Sequence, residues 1–195
     1  MALHRRAVFL DRDGTICVDV PYCSRPEDFR LLTDAAEAVA TLASHGLLIV
    51  VATNQSGIAR GYFNRDALDS IHDRMRQQIL AGGGRVDAVY YCPHHPDEGC
   101  SCRKPLPGML LQASSDLDID LHRSFLIGDK EADVKAGRAA GCKTILVAGP
   151  PVGDTVRTVR DDTESIADFQ ARDLHEAVTW ILRMDRNACT SQSAP

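Results

Sequence analysis

Short apolar segments alternate with amphipathic segments along most of this chain, and that alternation limits the folds available to it. Five apolar segments are four to six residues long, nearly continuous and rich in β-branched residues. This pattern is typical of strands buried on both faces of a parallel sheet. Strands alternating with helices predict a doubly wound α/β sandwich with right-handed crossovers. The five predicted strands are 7–10, 47–52, 86–91, 124–127 and 144–148.

Helices are predicted between these strands from apolar residues at helical spacing and from residues that begin or end helices. Asp34 is a candidate N-cap for the first helix, and Gly141 closes the fourth. A short strand near 167–171 and a last helix after it complete a single domain, 1–186. The other predicted segments are helices at 35–44, 66–80, 107–117 and 131–140, a surface loop at 149–165 and a disordered tail at 187–195.

Composition and charge narrow the possible partners. The chain has 195 residues, of which 44% are hydrophobic and 25% charged, as in an ordinary globular domain. Its net charge of −5 gives no basic surface for nucleic acid or an anionic membrane. The longest apolar run, 47–52, is too short to span a bilayer, and the N-terminal residues lack the pattern of a secretory signal. We therefore expect a cytoplasmic monomer whose seven cysteines are thiols or metal ligands.

Three aspartates follow predicted strands at the edge where parallel sheets bind ligands. Asp11 and Asp13 come after the first strand and Asp129 comes after the fourth. An attacking carboxylate beside a separate acid/base group suits covalent phosphoryl transfer. Taken singly, Asp13 fits an Asp-Gly turn and Asp129 a helix cap. Three carboxylates together require a cation, and oxygen ligands favour Mg²⁺.

Thr53 and Lys104 supply the complementary groups after the second and third strands. A phosphate dianion that approaches a carboxylate needs positive charge to offset the repulsion and a hydroxyl to orient it. A single Thr or Lys is ordinarily a solvent-exposed surface residue with no functional role. The position of these two residues at the strand ends is what favours a phosphoryl site.

A cysteine- and histidine-rich loop at 92–102 has the spacing of a metal site. Cys92, His94, Cys100 and Cys102 form Cys-x-His and Cys-x-Cys pairs, which suit tetrahedral Zn²⁺. His95 is an alternative to His94. Four protein ligands leave no open position, so the zinc is expected to be structural. The remaining cysteines show no pairing pattern and are expected to be plain thiols: Cys17, Cys23, Cys142 and Cys189.

The order of these motifs resembles that of the haloacid-dehalogenase (HAD) superfamily of phosphohydrolases. Asp-x-Asp-Gly-Thr at 11–15 is followed by Thr53, Lys104 and Gly-Asp-x-x-x-Asp at 128–133, and the resemblance covers about residues 7–148. It implies the Rossmann-like HAD fold without a large cap domain. It also implies that Asp11 is the nucleophile that becomes an aspartyl-phosphate and that Asp13 is the general acid and base.

The same resemblance implies roles for the other motif residues. Thr53 and Lys104 hold the phosphoryl group. Asp11, the backbone carbonyl of Asp13, and Asp129 bind Mg²⁺. Asp133 supports them from four residues further along the chain.

The zinc loop directly before Arg103-Lys104-Pro105 resembles that of the histidinol-phosphate/heptose-bisphosphate phosphatase branch. Within the branch, the motifs at 53–61, 91–96, 102–105, 107–111 and 128–130 are similar to the D-glycero-D-manno-heptose-1,7-bisphosphate 7-phosphatases. That similarity implies removal of the 7-phosphate from a small sugar bisphosphate. It also implies substrate contacts from Asp19, Tyr22, Asn54, Gln55, Ser56, Arg103 and Lys130.

Two departures and three alternatives accompany this assignment. Only residues 95–99 separate His94 from Cys100, a spacing that histidinol-phosphatase members share, and Val20-Pro21 stand where the heptose family commonly has His-Gly. Histidinol phosphate or another small sugar phosphate is the alternative substrate. A phospho-accepting regulatory domain also combines aspartates, Mg²⁺, Thr and Lys, but in another order and without Asp13. A catalytically inactive binding module is the third alternative, and turnover of a phosphomonoester separates an enzyme from both.

Overall fold

A six-stranded parallel sheet forms the centre of the structure, with helices on both faces. The computed structural model describes residues 4–148 and 167–190 of the chain. The strands are β1 (Ala7–Leu10), β2 (Leu48–Asn54), β3 (Ala88–Cys92), β4 (Phe125–Gly128), β5 (Lys143–Val147) and β6 (Phe169–Ala171). The helices are α1 (Ala35–Ser44), α2 (Arg65–Ala81), α3 (Gly108–Leu117), α4 (Glu131–Ala140) and α5 (Leu174–Thr190).

The strand order is β3-β2-β1-β4-β5-β6, and every neighbouring pair is parallel. This is the doubly wound order in which the chain reverses direction across the sheet beside β1. The predicted α/β architecture is therefore confirmed. β1 lies in the middle of the sheet and is completely buried, which explains why its sequence is a continuous apolar run.

Side chains alternate between the two faces of β1 and divide the core into two layers. Val8 and Leu10 pack in one layer with apolar residues of α1, α2 and α5. Ala7 and Phe9 pack in the other with residues of α3 and α4. Each helix thus buries one apolar stripe against the sheet, and the sandwich holds the loops at its carboxyl edge in fixed positions.

Of the two predicted helix ends, one is confirmed and one is wrong, and the structure shows a further cap. Asn64 caps α2, since its side chain accepts a hydrogen bond from the Ala67 backbone N–H at 2.9 Å. Gly141 ends α4 with φ of 89°, a left-handed conformation that favours glycine. The prediction that Asp34 caps α1 is wrong, because its backbone is already helical and its side chain makes no capping hydrogen bond.

Several boundaries differ from the predicted ones by a few residues. β2 continues to Asn54, so Thr53 lies inside the strand rather than after it. The last helix continues to Thr190, past the predicted domain end at 186. The predicted surface loop at 149–165 and the tail from 191 onward lie outside the described residues. The described residues also contain three short 3₁₀ helices that the sequence pattern did not indicate: Pro26–Asp28, Pro96–Glu98 and Leu121–Arg123.

The connections at the carboxyl edge of the sheet leave the strand ends open. In the described ranges, residues 11–34 between β1 and α1 contain one 3₁₀ helix and isolated bridges, and no inserted cap domain is present there or elsewhere. Among the described helices none is both long and apolar enough to cross a membrane.

Candidate active site

Three carboxylates meet where β1 and β4 end side by side. The Asp11 backbone N–H donates to the Ile127 carbonyl oxygen of β4 at 2.9 Å, which fixes Asp11 next to the residues that follow β4. One carboxylate oxygen from each of Asp11, Asp129 and Asp133 lies within 4.8 Å of the others. The sequence predicted a cluster of the Asp11, Asp13 and Asp129 carboxylates, with Asp133 in support. In the structure Asp133, from the first turn of α4, takes the third place in the cluster, because the Asp13 carboxylate accepts hydrogen bonds from Arg12 instead.

Asp129 is the member of this cluster that most clearly needs a cation. Its side chain is 1% exposed, and both oxygens are buried with no hydrogen-bond partner in the part of the chain that the structure describes. Lys130 Nζ lies 3.8 Å from Oδ1, beyond hydrogen-bonding distance. Burial raises the pKa of Asp129 to about 6, and the Asp11 and Asp133 carboxylates add to the effect while Lys130 opposes it. A buried carboxylate with unused lone pairs, in an all-oxygen donor set, fits Mg²⁺.

Gly14 is required beside this carboxylate for two reasons. Its φ is 88°, in the left-handed region that L side chains rarely adopt. A Cβ atom at this position would also lie 2.4 Å from Asp129 Oδ2. The Asp-Gly pair that the sequence left open as a simple turn therefore gives Asp129 the room it occupies.

Lys104 reaches the cluster from the loop after β3. Its Nζ donates to Asp11 Oδ1 and to the Ala52 carbonyl oxygen, both at 2.7 Å, and lies 2.6 Å from Asp133 Oδ1. The residue is 4% exposed. Burial lowers the pKa of Lys104, but the attraction of Asp11 and Asp133 outweighs it and holds that pKa above its ordinary value. The ammonium is therefore charged beside the carboxylate of Asp11.

Residues at the end of β2 connect Lys104 and Asp13 to the sheet. Gln55 Nε2 donates to Asp13 Oδ2 at 2.8 Å and to Thr53 Oγ1 at 2.9 Å. The Asn54 side chain accepts from the Lys104 N–H and donates to the Lys104 carbonyl oxygen, each at 3.1 Å. Both groups of the Asn54 amide thus hold the backbone of Lys104, whereas the sequence assigned Asn54 to the substrate.

All of the predicted substrate contacts except Arg103 line an open cavity of about 220 Å³. Lys130 Nζ projects to this cavity, 3.3 Å from Asp19 Oδ2 and 3.5 Å from the Asp13 carbonyl oxygen. Arg103 does not line the cavity, but its Nη1 is buried without a hydrogen-bond partner among the described residues. The cavity lining also includes Asp19, Tyr22, Asn54, Gln55, Ser56 and Lys130, all from the predicted set.

The cysteine- and histidine-rich loop brings four donor atoms together. Cys92 Sγ lies 3.5 Å from Cys100 Sγ and 3.6 Å from His94 Nδ1. Cys102 Sγ lies 3.2 Å from His94 Nδ1 and 3.6 Å from Cys100 Sγ. His95 is not part of the cluster, because its Nδ1 accepts from the Asp97 N–H at 3.4 Å. Three sulfurs and one imidazole nitrogen are a donor set that fits Zn²⁺.

Comparison with known proteins shows which family the chain belongs to. A family model described as HAD-hydrolase-like matches residues 101–177. The D-glycero-beta-D-manno-heptose-1,7-bisphosphate 7-phosphatase of Pasteurella multocida is 43% identical over 174 residues, covering 85% of this chain and 95% of that protein. The D-glycero-D-manno-heptose-1,7-bisphosphate 7-phosphatase of Thermosynechococcus vestitus is 42% identical, covering 91% and 95%. The chain belongs to the heptose-bisphosphate 7-phosphatase family.

A solved member of the heptose-bisphosphate 7-phosphatase family has the same fold. The D,D-heptose 1,7-bisphosphate phosphatase of B. bronchiseptica, solved with magnesium and phosphate, superposes with a TM-score of 0.80 at 36% identity, covering 92% of this chain and 99% of that one. The HAD resemblance proposed from the motifs is therefore confirmed, as is the HAD fold.

One buried charged residue beside the nucleophile was missed by the sequence reasoning. Arg12 is 1% exposed and donates to both carboxylate oxygens of Asp13. A signal was present, since Arg12 lies only two residues after Leu10, the last residue of a fully buried strand. Charged side chains are almost never fully buried unless they are paired.

Zinc is expected at about one ion per chain in protein purified without chelators. Cys100→Ser and Cys102→Ser remove a thiolate ligand from a loop that leads directly into Arg103 and Lys104. We expect both variants to lose the metal, to unfold at a lower temperature and to lose activity, since structural zinc sites contribute directly to folding. Elemental analysis and calorimetry measure these effects, with Cys142→Ser, a buried cysteine outside the loop, as the control. Absence of zinc from the purified wild type would contradict the assignment.

Stabilisation by Mg²⁺ is expected to depend on pH through Asp129. Its pKa is about 6 in the folded protein against 3.8 for an ordinary carboxyl group, so without metal the stability that Asp129 contributes at low pH is lost as pH rises through 6. Mg²⁺ held by the charged form of Asp129 would offset this loss. We therefore expect Mg²⁺ to raise Tm much more near pH 8 than near pH 5, and Asp129→Asn to abolish the difference. An equal rise at both pH values would argue against Asp129 as a ligand.

Proposed function

We propose that the chain is a Mg²⁺-dependent phosphomonoesterase that removes the 7-phosphate of D-glycero-D-manno-heptose 1,7-bisphosphate through an aspartyl-phosphate on Asp11. The observation that carries this proposal is the contact of Asp11 with the buried Lys104 ammonium, beside two further carboxylates at the carboxyl edge of the sheet. The relatives described above are all named heptose 1,7-bisphosphate phosphatases, which supports the substrate class.

The first chemical step transfers the phosphoryl group to the protein. An Asp11 carboxylate oxygen attacks phosphorus, and the bond from phosphorus to the sugar oxygen breaks. Asp13 gives its proton to that leaving oxygen, which would otherwise depart as a poorly stable alkoxide. Lys104 offsets charge on Asp11 and the phosphoryl oxygens, and Thr53 Oγ1 orients the phosphoryl group.

The second step releases phosphate. Asp13, now a carboxylate, takes a proton from a water molecule whose oxygen attacks phosphorus, and the bond between phosphorus and Asp11 breaks. Asp11 is regenerated as a carboxylate and Asp13 as the acid, so the cycle balances.

Mg²⁺ is assigned to the carboxylates of Asp11 and Asp129 and to the backbone carbonyl of Asp13. When bound, it supplies positive charge that screens the phosphate from these carboxylates and stabilises the charge of the transition state. Asp133 forms an ion pair with Lys104 and accepts a hydrogen bond from the Lys130 backbone N–H, and these contacts brace the cluster. Zn²⁺ is assigned to the four-residue cluster of the 92–102 loop as a structural ion.

Two cations beyond those needed for the chemistry are available for the second phosphate. Lys130 borders the open cavity and Arg103 has an unused buried nitrogen, whereas Lys104 is fully engaged with Asp11 and Asp133. A bisphosphate presents a dianion at each end. Lys104 would meet the phosphate that is removed, and Lys130 and Arg103 would meet the other phosphate. The open edge without a cap suits a small extended sugar.

Removing either extra cation is expected to impair a bisphosphate selectively. A charge-assisted contact contributes about 1.5–3 kcal/mol, so Arg103→Ala and Lys130→Ala are expected to lower kcat/KM for the heptose bisphosphate by about ten- to a hundredfold while leaving slow hydrolysis of an aryl phosphate almost unchanged. Lys135→Ala is the matched control for Lys130→Ala. The Lys130 and Lys135 side chains are both 51% exposed, but Lys135 pairs with Glu131, one helical turn earlier on α4. Equal losses on both substrates would mean that these cations serve the chemistry itself.

A phosphate-release panel separates the remaining substrates. The panel contains both anomers of heptose 1,7-bisphosphate, fructose 1,6-bisphosphate and histidinol phosphate. We expect a heptose bisphosphate to have the highest kcat/KM. A preference for histidinol phosphate would overturn the heptose assignment, and a single phosphorylation without turnover would favour a regulatory domain.

Zinc-binding thiolates suit a reducing compartment, which supports a cytoplasmic location.

A further inference from the structure

Arg12 carries a fully buried guanidinium group at the centre of the site, and it takes no part in the reaction steps described above. It is 1% exposed and follows Asp11 directly. Burial of a charged side chain carries a large desolvation cost unless strong partners offset it. The partners of Arg12 therefore indicate what the residue does.

Its first partner is the carboxyl group of Asp13, which it contacts at two points. Arg12 Nε donates to Oδ1 at 3.0 Å and Nη2 donates to Oδ2 at 2.9 Å. Gln55 Nε2 gives Oδ2 a further hydrogen bond at 2.8 Å. A carboxyl group held through one oxygen can still rotate, whereas this planar two-point contact fixes the plane of the Asp13 carboxyl group.

The second partner, His72, holds the guanidinium from behind. His72 lies on the buried face of α2, is 2% exposed, and places its Nε2 3.3 Å from Arg12 Nη1. Burial, with a further contribution from Arg12, lowers the pKa of His72 to about 3, so the imidazole is neutral and its Nε2 accepts the hydrogen bond. The ring also contacts Tyr91 of β3 at a centroid distance of 5.9 Å.

We propose that Arg12 is a positioning residue that holds the Asp13 carboxyl group in one orientation for both proton transfers, with His72 as its anchor on α2. The proposal rests on the proposed phosphatase function. Proton transfer to the leaving oxygen depends first on geometry, and a small displacement of the acid lowers the rate. A merely structural arginine would stabilise the fold without any influence on which leaving groups the enzyme can expel.

The leaving group provides the decisive test. A sugar alkoxide needs the proton of Asp13 when it departs, whereas nitrophenolate departs readily without one. In single-turnover experiments we expect Arg12→Met to slow phosphorylation by heptose bisphosphate by about 10²–10⁴-fold, the usual contribution of a general acid. Phosphorylation by p-nitrophenyl phosphate should slow by less than about tenfold, because it needs no acid. Equal slowing with both substrates would overturn the proposal.

Chemical rescue provides a second readout that a structural role would not give. Added guanidinium at millimolar concentration is expected to restore part of the sugar-phosphate activity of Arg12→Ala, while the uncharged isostere urea restores none. Arg74→Ala is the control, since Arg74 is an exposed arginine on the same helix as His72 and its loss should change neither activity nor the response to guanidinium. Failure of rescue in a folded Arg12→Ala protein would count against the proposal.

Substitution of the anchor keeps the test available if removal of Arg12 prevents folding. His72→Gln retains an acceptor and His72→Leu does not, so His72→Leu should show the same leaving-group selectivity in weaker form and His72→Gln should lie near wild type. Arg12→Lys, which keeps the charge but not the two-point contact, should resemble Arg12→Met. Full activity in a folded Arg12→Lys or Arg12→Met protein would overturn the proposal.

The phosphate-release panel with the wild-type protein checks the proposed substrate separately. If the preferred substrate is a different alkyl phosphate, the comparison of that substrate with p-nitrophenyl phosphate still tests the role of Arg12.

Discussion

Replacement of Asp11 by asparagine is expected to abolish turnover while the protein stays folded. The amide is nearly isosteric with the carboxylate but cannot attack phosphorus, and loss of a nucleophile can cost as much as about 10⁶-fold in kcat. Lys104 keeps its ion pair with Asp133 and its hydrogen bond to Ala52, so the fold should survive. Initial rates with the heptose bisphosphate and with p-nitrophenyl phosphate measure the loss, which should be equally severe for both.

The control for this variant is Asp69→Asn, a substitution of the same kind at an exposed position on α2. Calorimetry of both variants separates a loss of chemistry from a loss of folded protein. Near-native activity of Asp11→Asn would mean that water attacks phosphorus directly, and the covalent mechanism would be wrong.

Lys104→Met is expected to combine a large loss of activity with a large loss of stability. The methionine fills the space of the aliphatic stem but leaves Asp11 and Asp133 buried without their shared cation. Breaking a buried ion pair by removing one partner costs about 3–5 kcal/mol. Chemical denaturation measures this difference, and Lys135→Met, in an exposed pair with Glu131, should change stability by no more than about 1 kcal/mol.

The stability deficit of Lys104→Met should shrink as the solution is acidified. Burial and the neighbouring Asp11 already raise the pKa of Asp133 to about 6 with Lys104 present, and loss of the cation raises it further. A carboxyl group whose pKa is higher in the folded state is penalised at high pH and relieved when it becomes protonated. The free energy of unfolding of the variant should therefore approach that of wild type between about pH 8 and pH 5. A deficit that is constant with pH would show that the carboxylates are not buried as charges.

The sheet could be predicted from the sequence because its strands are buried on both faces. Continuous apolar runs such as that of β1 have few other structures available to them, and the strand ends then place Asp11, Asp129 and Lys104 at one edge. Boundaries were less certain, because Thr53 belongs both to the apolar run of β2 and to the polar loop that follows it.

The parts of the site that the sequence could not give depend on side-chain pairing between distant segments. The Asn54 amide has ordinary turn chemistry in the sequence, and only the fold shows that it holds the Lys104 backbone. Arg12 and His72 are sixty residues apart in the chain and meet only because the fold brings the buried face of α2 beside the residues that follow β1. The choice between His94 and His95 as zinc donor likewise required the conformation of the loop.

Asp11 is proposed to take the phosphoryl group from the oxygen on C7 of the heptose. Rapid-quench mixing of the enzyme with heptose bisphosphate labelled in its 7-phosphate, followed by digestion and mass spectrometry, tests this directly. We expect a transient phosphorylated peptide with the label on Asp11, no such peptide from Asp11→Asn, and a sugar product that keeps its 1-phosphate. Full phosphate release with no labelled peptide, a label on another residue, or a product that has lost its 1-phosphate would contradict it.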